Sequence, residues 1–393
     1  MQPEYIRQPN KYVQQELFTT EDSIYYSLDF PLFFETVIKW QFNENISFLV
    51  SKDFSYLLVS GFGVRLSKKS ERLQIKENKK VILELPFFRI HTVAIFSKGV
   101  SVSSDLLEQF VKNNINLSFH DYSGKPYALL QSMFAPQRIN LKREQLLAQN
   151  SVTGNNIIVK IVCGKISNQI ALLKYVTKNL KPRTENNTNK INSTKSACNK
   201  MQECNDKVLS LLNNENMQIT RAQLMGYEGT SARIYWKAIS TLLAEKTDFE
   251  GRQQKVPTDA VNTLLNYGYG ILYSQIWSAI ILAGLDPYIG FLHTEQTGKP
   301  SLVFDLIEEF RAPIVDRTVI AFVMLNRNIK IEQGLLTVET RQAFSEKIID
   351  RLSSTETYEG KKFEISDIIL LQARKLINSI TNKEEYTPFS FKW

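Results

Sequence analysis

Residues 290–311 read GFLHTEQTGKPSLVFDLIEEFR, and this stretch decides how the second half of the chain is interpreted. It contains His293, one of three histidines in 393 residues. A short apolar run ends on this histidine, TEQTGKP is typical of a turn, and SLVFDLIEEF then has the spacing of a helix that buries one face. Asp305 and Glu308 are three positions apart, so the helix carries them as neighbours on another face. The stretch therefore predicts a helix with paired carboxylates that begins just after a histidine.

The predicted helix has a clear apolar face, and the role of its acidic face stays open. Like charges at this spacing cost a few tenths of a kcal/mol unless a cation or a basic group compensates them. Glu309 lies beside the pair. A solvated acidic face and a binding site both fit the spacing alone. The predicted apolar face consists of Leu302, Val303, Leu306, Ile307 and Phe310.

A second stretch, LMGYEGTSARIYWKAISTLL at residues 224–243, also combines a helical pattern with an acid. Apolar residues recur on one face from Ala232 to Leu243, so we expect a helix here. Glu228 lies at the expected front of that helix, between Gly226 and Gly229, where glycines let a backbone or a ligand approach closely. An acid at a helix N-terminus also complements the macrodipole without any further role. Both interpretations of Glu228 remain open at this point.

Together, the two stretches offer carboxylates and an imidazole, which is a ligand set for hard divalent ions. Carboxylates suit Mg²⁺, and an added histidine makes Mn²⁺ equally acceptable. Three protein ligands would leave positions open for a phosphate oxygen or a hydroxyl, an arrangement that supports displacement at phosphorus. Three basic residues nearby, Arg233, Lys299 and Arg311, could hold a polyanion such as DNA.

The charge and the cysteines limit the setting in which the chain works. A net charge of +8 and a pI near 9.1 favour an anionic partner, nucleic acid before membrane, although solubility alone also explains them. Three cysteines without CxxC spacing fit a reducing compartment and no disulfide framework. The first residues, MQPEYIRQPNK, show no apolar core of a signal peptide. We therefore expect a cytoplasmic protein.

An uncharged run at residues 260–285 raises the question of a membrane span. Its length would suffice, since a spanning helix needs about 20 mostly apolar residues. Asparagines, serines, a glutamine and two glycines interrupt it, and these fit a buried helix of a soluble protein better. We expect a central buried helix and no membrane partner.

The pattern along the chain predicts an α+β protein, in which a small N-terminal β-rich domain precedes a larger all-α domain. Strand-like alternation occupies 52–132, interrupted by the helical pattern SSDLLEQFVKNN, and helical patterns occupy most of 133–393. Residues 1–51 form an extension of unknown role. The run KPRTENNTNKINSTKSACNK at 181–200 has five basic residues, one acid and little to bury. It suggests a solvated loop or a disordered insertion, with tracking of DNA phosphates as the alternative.

The two motifs, GYEGTSARIYW and GFLHTEQTGKPSLVFDLIEEFRAPIVDR, resemble the Cas-one integrase family, the catalytic subunit of CRISPR adaptation. The resemblance covers about residues 52–350 and includes the helix between the motifs. It implies a β-rich dimerisation domain at 52–132, an α-helical catalytic domain at 133–393, and a homodimer that binds a Cas-two dimer. It also implies action on double-stranded and branched DNA, with 3′-hydroxyls of short duplexes joined to CRISPR repeat ends, in a prokaryotic cytoplasm.

The resemblance assigns roles residue by residue. It implies that Glu228, His293 and Glu308 bind Mg²⁺ or Mn²⁺, and that Asp305 supports the site. Glu308 stands where many members have Asp, so its carboxylate arm is one methylene longer. The chain departs from the family pattern in residues 1–51 and in the polar run 181–200.

Three alternative functions remain beside a CRISPR integrase. With water replacing the 3′-hydroxyl, the same site would act as an endonuclease. A transposon-associated integrase of the same fold would use the same residues. A catalytically idle DNA-binding scaffold is the third alternative, and the presence of Glu228, His293 and Glu308 argues against it.

Overall fold

The structure, a computed structural model, describes most of the chain from residue 37 onward. The described residues are 37–43, 46–51, 56–77, 79–90, 92–121, 126–130, 139–178, 180, 184–213, 217–253, 259–293, 299–325 and 329–391. Most of the N-terminal extension, residues 1–36, lies outside them, as does most of the turn expected at 294–300.

Two sheets make up the N-terminal part. Six strands follow the order β1-β2-β3-β7-β9-β10, in which β3, β7 and β9 are parallel, and four follow β6-β5-β4-β8. Their bounds are β1 Val37–Asn43, β2 Ile46–Ser51, β3 Tyr56–Ser60, β4 Val64–Lys69, β5 Arg72–Glu77, β6 Lys80–Pro86, β7 Thr92–Ile95, β8 Ser101–Val102, β9 Asn116–His120 and β10 Pro126–Leu130.

The first helix, α1, packs between the two sheets. It covers Ser104–Lys112 and buries Leu106 and Phe110. These two side chains join one core with residues from both sheets, including Leu57 of β3 and Leu66 of β4. The strand-rich N-terminal region that the sequence predicts is thus present and has its own core.

The six-stranded sheet also forms a wall of the helical part. Leu57 of β3 faces the small core, whereas its neighbour Leu58 faces the large helical core, because side chains alternate across a strand. The helices of that part are α2 Ile139–Ala148, α3 Val152–Lys178, α4 Glu185–Leu209, α5 Met217–Leu243, α6 Ala260–Ala283, α7 Ser301–Phe310, α8 Arg317–Met324, α9 Val338–Ser353 and α10 Ile365–Thr381.

A strand-rich N-terminal region followed by a helical region is the architecture expected, with two differences. The sheet begins ahead of residue 52, because β1 and β2 pair with each other and β2 pairs with β3. The helical part is not all-α, because it contains two hairpins with polar, turn-rich sequences. These are β11 Ile331–Glu332 with β12 Leu335–Leu336, and β13 Thr355–Tyr358 with β14 Lys361–Glu364.

The prediction of a solvated loop at 181–200 is wrong, because helix α4 occupies this region from Glu185 onward. Thr184 caps the helix by accepting a hydrogen bond from the backbone N–H of Asn187 at 3.2 Å. A narrow buried stripe then secures it between α3 and α5. The stripe includes Thr194, Cys198, Met201, Asn205 and Val208.

The uncharged run at 260–285 forms α6, which is a central buried helix as expected. Asp259 caps its start, and Gly284 ends it in the left-handed conformation with φ of 88°. Within the described residues, one helix is long and apolar enough to span a membrane, namely α3. In α3, 78% of the most apolar window is buried inside the protein, as is usual for a core helix.

Candidate active site

Helix α7 has the register that the sequence predicts, but its acidic residues are not solvated. The five apolar residues expected on its inner face are all buried. Asp305, Glu308 and Glu309 are buried as well, with exposed fractions of 0%, 4% and 0%. A buried carboxylate requires partners to offset its desolvation. The helix is therefore surrounded on every side, and its acids belong to interior networks.

Asp305 organises the loop that carries His293. Its Oδ2 accepts hydrogen bonds from the backbone N–H groups of Phe291 at 2.5 Å and Leu292 at 3.0 Å. Its Oδ1 accepts from the backbone N–H of His293 at 3.0 Å and lies 2.7 Å from the Nδ1 atom of the same residue. Because a carboxylate only accepts, Nδ1 carries the proton in this pair, and Nε2 keeps a free lone pair.

Glu228 lies in the middle of helix α5 rather than at its front. The helix begins at Met217, so the interpretation of Glu228 as an N-terminal acid is wrong. The glycine-containing segment does not end the helix, because a single helical glycine costs only about 1 kcal/mol relative to alanine. A Cβ atom at Gly226 or Gly229 would meet no described atom within 4 Å. Neither glycine is therefore required by a close contact with a described neighbour.

Lys165 of helix α3 brings Glu228 and Glu308 together. Its Nζ atom donates a hydrogen bond to Oε1 of Glu228 and lies 2.7 Å from Oε2 of Glu308. The exposed side-chain fractions are 11% for Lys165, 20% for Glu228 and 4% for Glu308. One ammonium group thus lies between two carboxylates that come from different helices.

Arg311 lies on the other side of Glu308. It begins a π-helical segment, Arg311–Asp316, that connects α7 to α8. Its Nη2 atom lies 3.3 Å from Oε1 of Glu308, and its guanidinium carbon lies 4.9 Å from the centre of the Tyr269 ring. The hydroxyl of Tyr269 donates to Asp316 at 2.5 Å. The arginine is therefore held inside the site by an ion pair and a ring.

The charges of the site shift its pKa values in opposite directions. Burial works against ionisation of Glu308, but Arg311 and Lys165 hold its pKa below the ordinary value. Burial also works against protonation of His293, but the hydrogen bond and charge of Asp305 raise its pKa, assisted by Glu308 and Glu228. The negative charges of both glutamates therefore favour the protonated form of His293. The side chain of His293 is 41% exposed. The ring of His293 is therefore more accessible to solvent than the side chains of Glu228 and Glu308.

Glu309 points away from this group and holds the C-terminal segment, residues 382–391. It accepts hydrogen bonds from the hydroxyl of Tyr386 at 2.7 Å, from the backbone N–H of Phe389 at 2.8 Å and from Nε2 of Gln372 at 2.8 Å. Burial raises its pKa to about 7. Asn168 donates to the carbonyls of Glu309 and Phe389 at 2.9 and 2.8 Å. The segment is thus fastened to α7 directly behind Glu308.

The donor types fit a hard divalent ion, although the present arrangement does not yet form its site. In the described ranges, no three His, Cys, Asp or Glu side chains already converge closely enough to hold a metal. Oε2 of Glu308 is buried, and its described partner is the ammonium group of Lys165 at 2.7 Å. A histidine bound to a carboxylate through its other nitrogen is typical of metal-ligating histidines. Glu228, Glu308 and His293 could hold Mg²⁺ or Mn²⁺ once the ammonium group moves aside.

The three basic residues expected to contact DNA have different surroundings. Arg233 is exposed on α5, and Lys299 is exposed just ahead of α7. Arg311 is occupied by Glu308 and Tyr269, so it faces the carboxylates rather than the outer surface. Their roles as DNA contacts remain predictions.

Sequence reasoning missed Lys165 and the residues that hold Glu309. A signal for Lys165 was present, because it interrupts a strongly apolar helix in the run IIVKIVCGKISNQI. A lysine buried on such a helix is expected to have an acidic partner. The same run also holds Lys160, whose partner Glu385 is exposed, so the signal does not single out Lys165. No comparable signal marks Gln372 or Tyr386, whose contacts with Glu309 span 63 and 77 positions.

Comparison with known proteins identifies the family to which this chain belongs. The profile of the family described as CRISPR associated protein Cas1 matches residues 57–349, which include all four predicted site residues. The chain belongs to the Cas1 family. The match begins within β3 and ends within α9, so it covers both the sheet region and the helical region of this Cas1 chain.

Relatives of this Cas1 chain extend the match. It is 35% identical over 342 residues to CRISPR-associated endonuclease Cas1 1 of Francisella tularensis subsp. novicida, covering 86% of this chain and 99% of that protein. A casposase bound to integration product has a TM-score of 0.67 and 23% identity, with 86% and 93% coverage. A Cas6-RT-Cas1–Cas2 complex has a TM-score of 0.68 and 19% identity, covering 88% of this chain and 37% of that one. At these identities, the two structures support the fold.

Proposed function

We propose that this chain is a metal-dependent DNA integrase of CRISPR adaptation. It joins the 3′-hydroxyls of short protospacer duplexes to the ends of a CRISPR repeat by transesterification, and it has a related endonuclease activity on branched DNA. The observation that carries the proposal is the convergence of Glu228 and Glu308 on one cation, beside a histidine whose tautomer Asp305 fixes. Membership of the Cas1 family supports the substrate class.

The residues divide the work of a phosphoryl transfer. Glu228, Glu308 and Nε2 of His293 would hold Mg²⁺ or Mn²⁺, which when bound neutralises charge on a phosphate oxygen and makes a hydroxyl a better nucleophile. Asp305 keeps the proton on Nδ1, so that Nε2 stays available. Arg311 supplies positive charge beside Glu308. Positioning and charge neutralisation provide most of the rate in such reactions.

The bond changes balance without nucleotide hydrolysis. The attacking 3′-oxygen loses its proton and forms a new bond to phosphorus. The bond between phosphorus and the 3′-oxygen of the repeat strand breaks, and the released 3′-oxygen takes up a proton. One phosphodiester replaces another. With water as the nucleophile, the same geometry yields a strand break, which is the endonuclease activity.

The proposed partners follow from the same family membership. We expect a homodimer formed through the β-rich region, which would present two sites to the two ends of a duplex. A Cas2 dimer is the second expected partner, because a structural neighbour is a complex that contains Cas1 and Cas2. A cytoplasmic location in a prokaryote is part of the same proposal.

The deciding experiment measures joining and binding in the same variants. Glu228→Gln, His293→Ala and Glu308→Gln should each lower single-turnover joining of a labelled 3′-hydroxyl to a repeat target by about 100-fold or more, since even partners of metal ligands cost about 10–100-fold. Duplex binding should persist, because Lys and Arg make most phosphate contacts. The matched control is Glu245→Gln, an exposed glutamate that follows α5 and pairs with Lys190.

Two outcomes would contradict the proposal. If all three variants join at the wild-type rate, the site is misplaced. If the wild type fails to resolve a branched substrate and EDTA changes nothing, the chain is a DNA-binding scaffold without catalysis.

The structural likeness to a casposase favours a second candidate, a transposon-associated integrase of the same fold. The two candidates differ in target choice. A CRISPR integrase should join preferentially at a repeat boundary when Cas2 is added, whereas the alternative should join without Cas2 and without a repeat.

A further inference from the structure

Among the residues that the structure describes, Lys165 forms ion pairs with both proposed carboxylate ligands. It extends from α3, a helix that is mostly buried, and its side chain is 11% exposed. A buried ammonium group is strongly unfavourable unless carboxylates compensate it. Here two do so, Glu228 from α5 and Glu308 from α7. The ammonium therefore lies between the two proposed carboxylate ligands.

Two cations hold Glu308. Nζ of Lys165 lies 2.7 Å from its buried Oε2. Nη2 of Arg311 lies 3.3 Å from its other oxygen, Oε1. Because the same ammonium group also donates to Glu228, Lys165 supplies the positive charge between the two carboxylates.

We propose that Lys165 is a built-in competitor of the divalent ion, holding Glu228 and Glu308 in place until the ion displaces its ammonium group. The inference rests on the proposed function, because it assumes that these carboxylates bind the ion. An ammonium group and a divalent ion placed between the same two carboxylates would repel each other strongly where little water screens them. Loading is therefore an exchange of one cation for another, and the affinity for the ion is set partly by Lys165.

The surroundings permit the exchange. A lysine carries its charge on a flexible four-carbon stem, so the ammonium can leave while the stem stays packed. Glu228 lies at the accessible side of the pair, because 20% of its side chain is exposed. Arg311 stays engaged with Glu308 and Tyr269, so the network on that side does not need to change.

The test measures Mn²⁺ binding to the full chain without DNA, using the paramagnetic resonance signal of the free ion. Lys165→Met keeps an unbranched apolar stem and removes the charge. It should bind Mn²⁺ more tightly than the wild type, on the order of 10–100-fold, the size typical of residues that act on metal ligands. Lys160→Met is the matched control, since Lys160 lies on the same helix and pairs with Glu385. It should bind as the wild type does.

Lys165→Arg tests the same idea in case the neutral variant does not fold. It retains the positive charge, and its planar fork can pair with both carboxylates more firmly than an ammonium can. It should weaken Mn²⁺ binding by about tenfold or more, by the same estimate. The double variant Lys165→Met/Glu308→Gln should lose the gain in affinity, which assigns the measured ion to this site.

The results separate this inference from the proposed function. Equal or weaker Mn²⁺ binding by Lys165→Met, together with wild-type binding that requires Glu308, would overturn the competition and leave the proposed site intact. Unchanged binding by Lys165→Arg would also overturn it. If no variant binds Mn²⁺ in a manner that depends on Glu308, the proposed site and the competition both fail.

Discussion

Asp305→Asn is the substitution for which the structure gives the sharpest expectation. The carboxylate accepts two hydrogen bonds at each oxygen, three from backbone N–H groups and one from the ring of His293. An amide nitrogen cannot accept. Whichever way the asparagine is oriented, one side of it therefore faces two donors.

The two orientations are unequal. With nitrogen in place of Oδ2, the buried N–H groups of Phe291 and Leu292 both lose their acceptor. With nitrogen in place of Oδ1, the backbone N–H of His293 loses its acceptor, but the ring can move its proton to Nε2 and accept at Nδ1. The second orientation leaves one donor unpaired instead of two. The second orientation should therefore be favoured, and the substitution should lower the free energy of unfolding by about 1–3 kcal/mol.

This orientation removes the lone pair of Nε2 on which the proposed site depends. We expect joining to fall by about 10–100-fold while the protein remains folded. The tautomer can be measured directly by long-range proton–nitrogen spectra of histidine-labelled protein, because the chain has three histidines. Asp350→Asn is the control, since Asp350 is a buried aspartate on α9 that pairs with Lys347. It should alter stability without changing the tautomer of His293. An Asp305→Asn protein that keeps the proton on Nδ1 and joins at the wild-type rate would refute this reasoning.

Three further predictions concern stability, DNA binding and assembly. Burial raises the pKa of Glu309 to about 7 from an ordinary 4.5, so the folded chain retains a proton that the unfolded chain loses, and stability falls as pH rises from 4.5 to 7. Thermal unfolding at pH 5 and 7.5 should show Glu309→Gln losing roughly 2 kcal/mol less than the wild type over this range, at about 1.4 kcal/mol per pKa unit. Parallel pH profiles would refute the buried proton. The net charge of +8 predicts electrostatic DNA binding. If about 6–10 phosphates are neutralised, the affinity for DNA should fall roughly 10³–10⁵-fold between 50 and 200 mM salt. An affinity that hardly changes with salt concentration would show that the charge serves solubility. Light scattering at micromolar concentration should give the mass of a dimer, and a monomer with or without Cas2 would contradict the expected assembly.

The sequence predicts local features of this protein well where one face of an element is buried. The register of α7 follows from the spacing of Leu302 to Phe310, and the buried helix α6 follows from an uncharged run punctuated by polar residues. Strands β3, β7 and β9 and helix α1 follow from their alternation and spacing. In each case the pattern lies within one short window.

Features that depend on contacts between residues far apart in the sequence could not be predicted from such local patterns. Spacing alone cannot distinguish a solvated acidic face from a buried one, because Lys165 lies 63 positions from Glu228 and on another helix. Helix α4 was missed because its polar composition outweighed a stripe of small and apolar residues, most of which lies at or beyond residue 198. Glu228 was placed at a helix front because two glycines suggested a boundary, whereas the packing of α5 against α4 carries the helix through them.

The attachment of residues 382–391 to Glu309 has a consequence for the order in which the protein matures during synthesis. While a ribosome is still adding the segment beyond α10, Glu309 lacks the donors Tyr386 and Phe389, and Asn168 lacks its contacts with Phe389 and Phe391. The wall behind Glu308 is then incomplete, because Pro388 does not yet fill the space that Gly164 leaves for it. The interior behind the proposed ligand Glu308 is therefore completed last, when the residues up to 391 have been added.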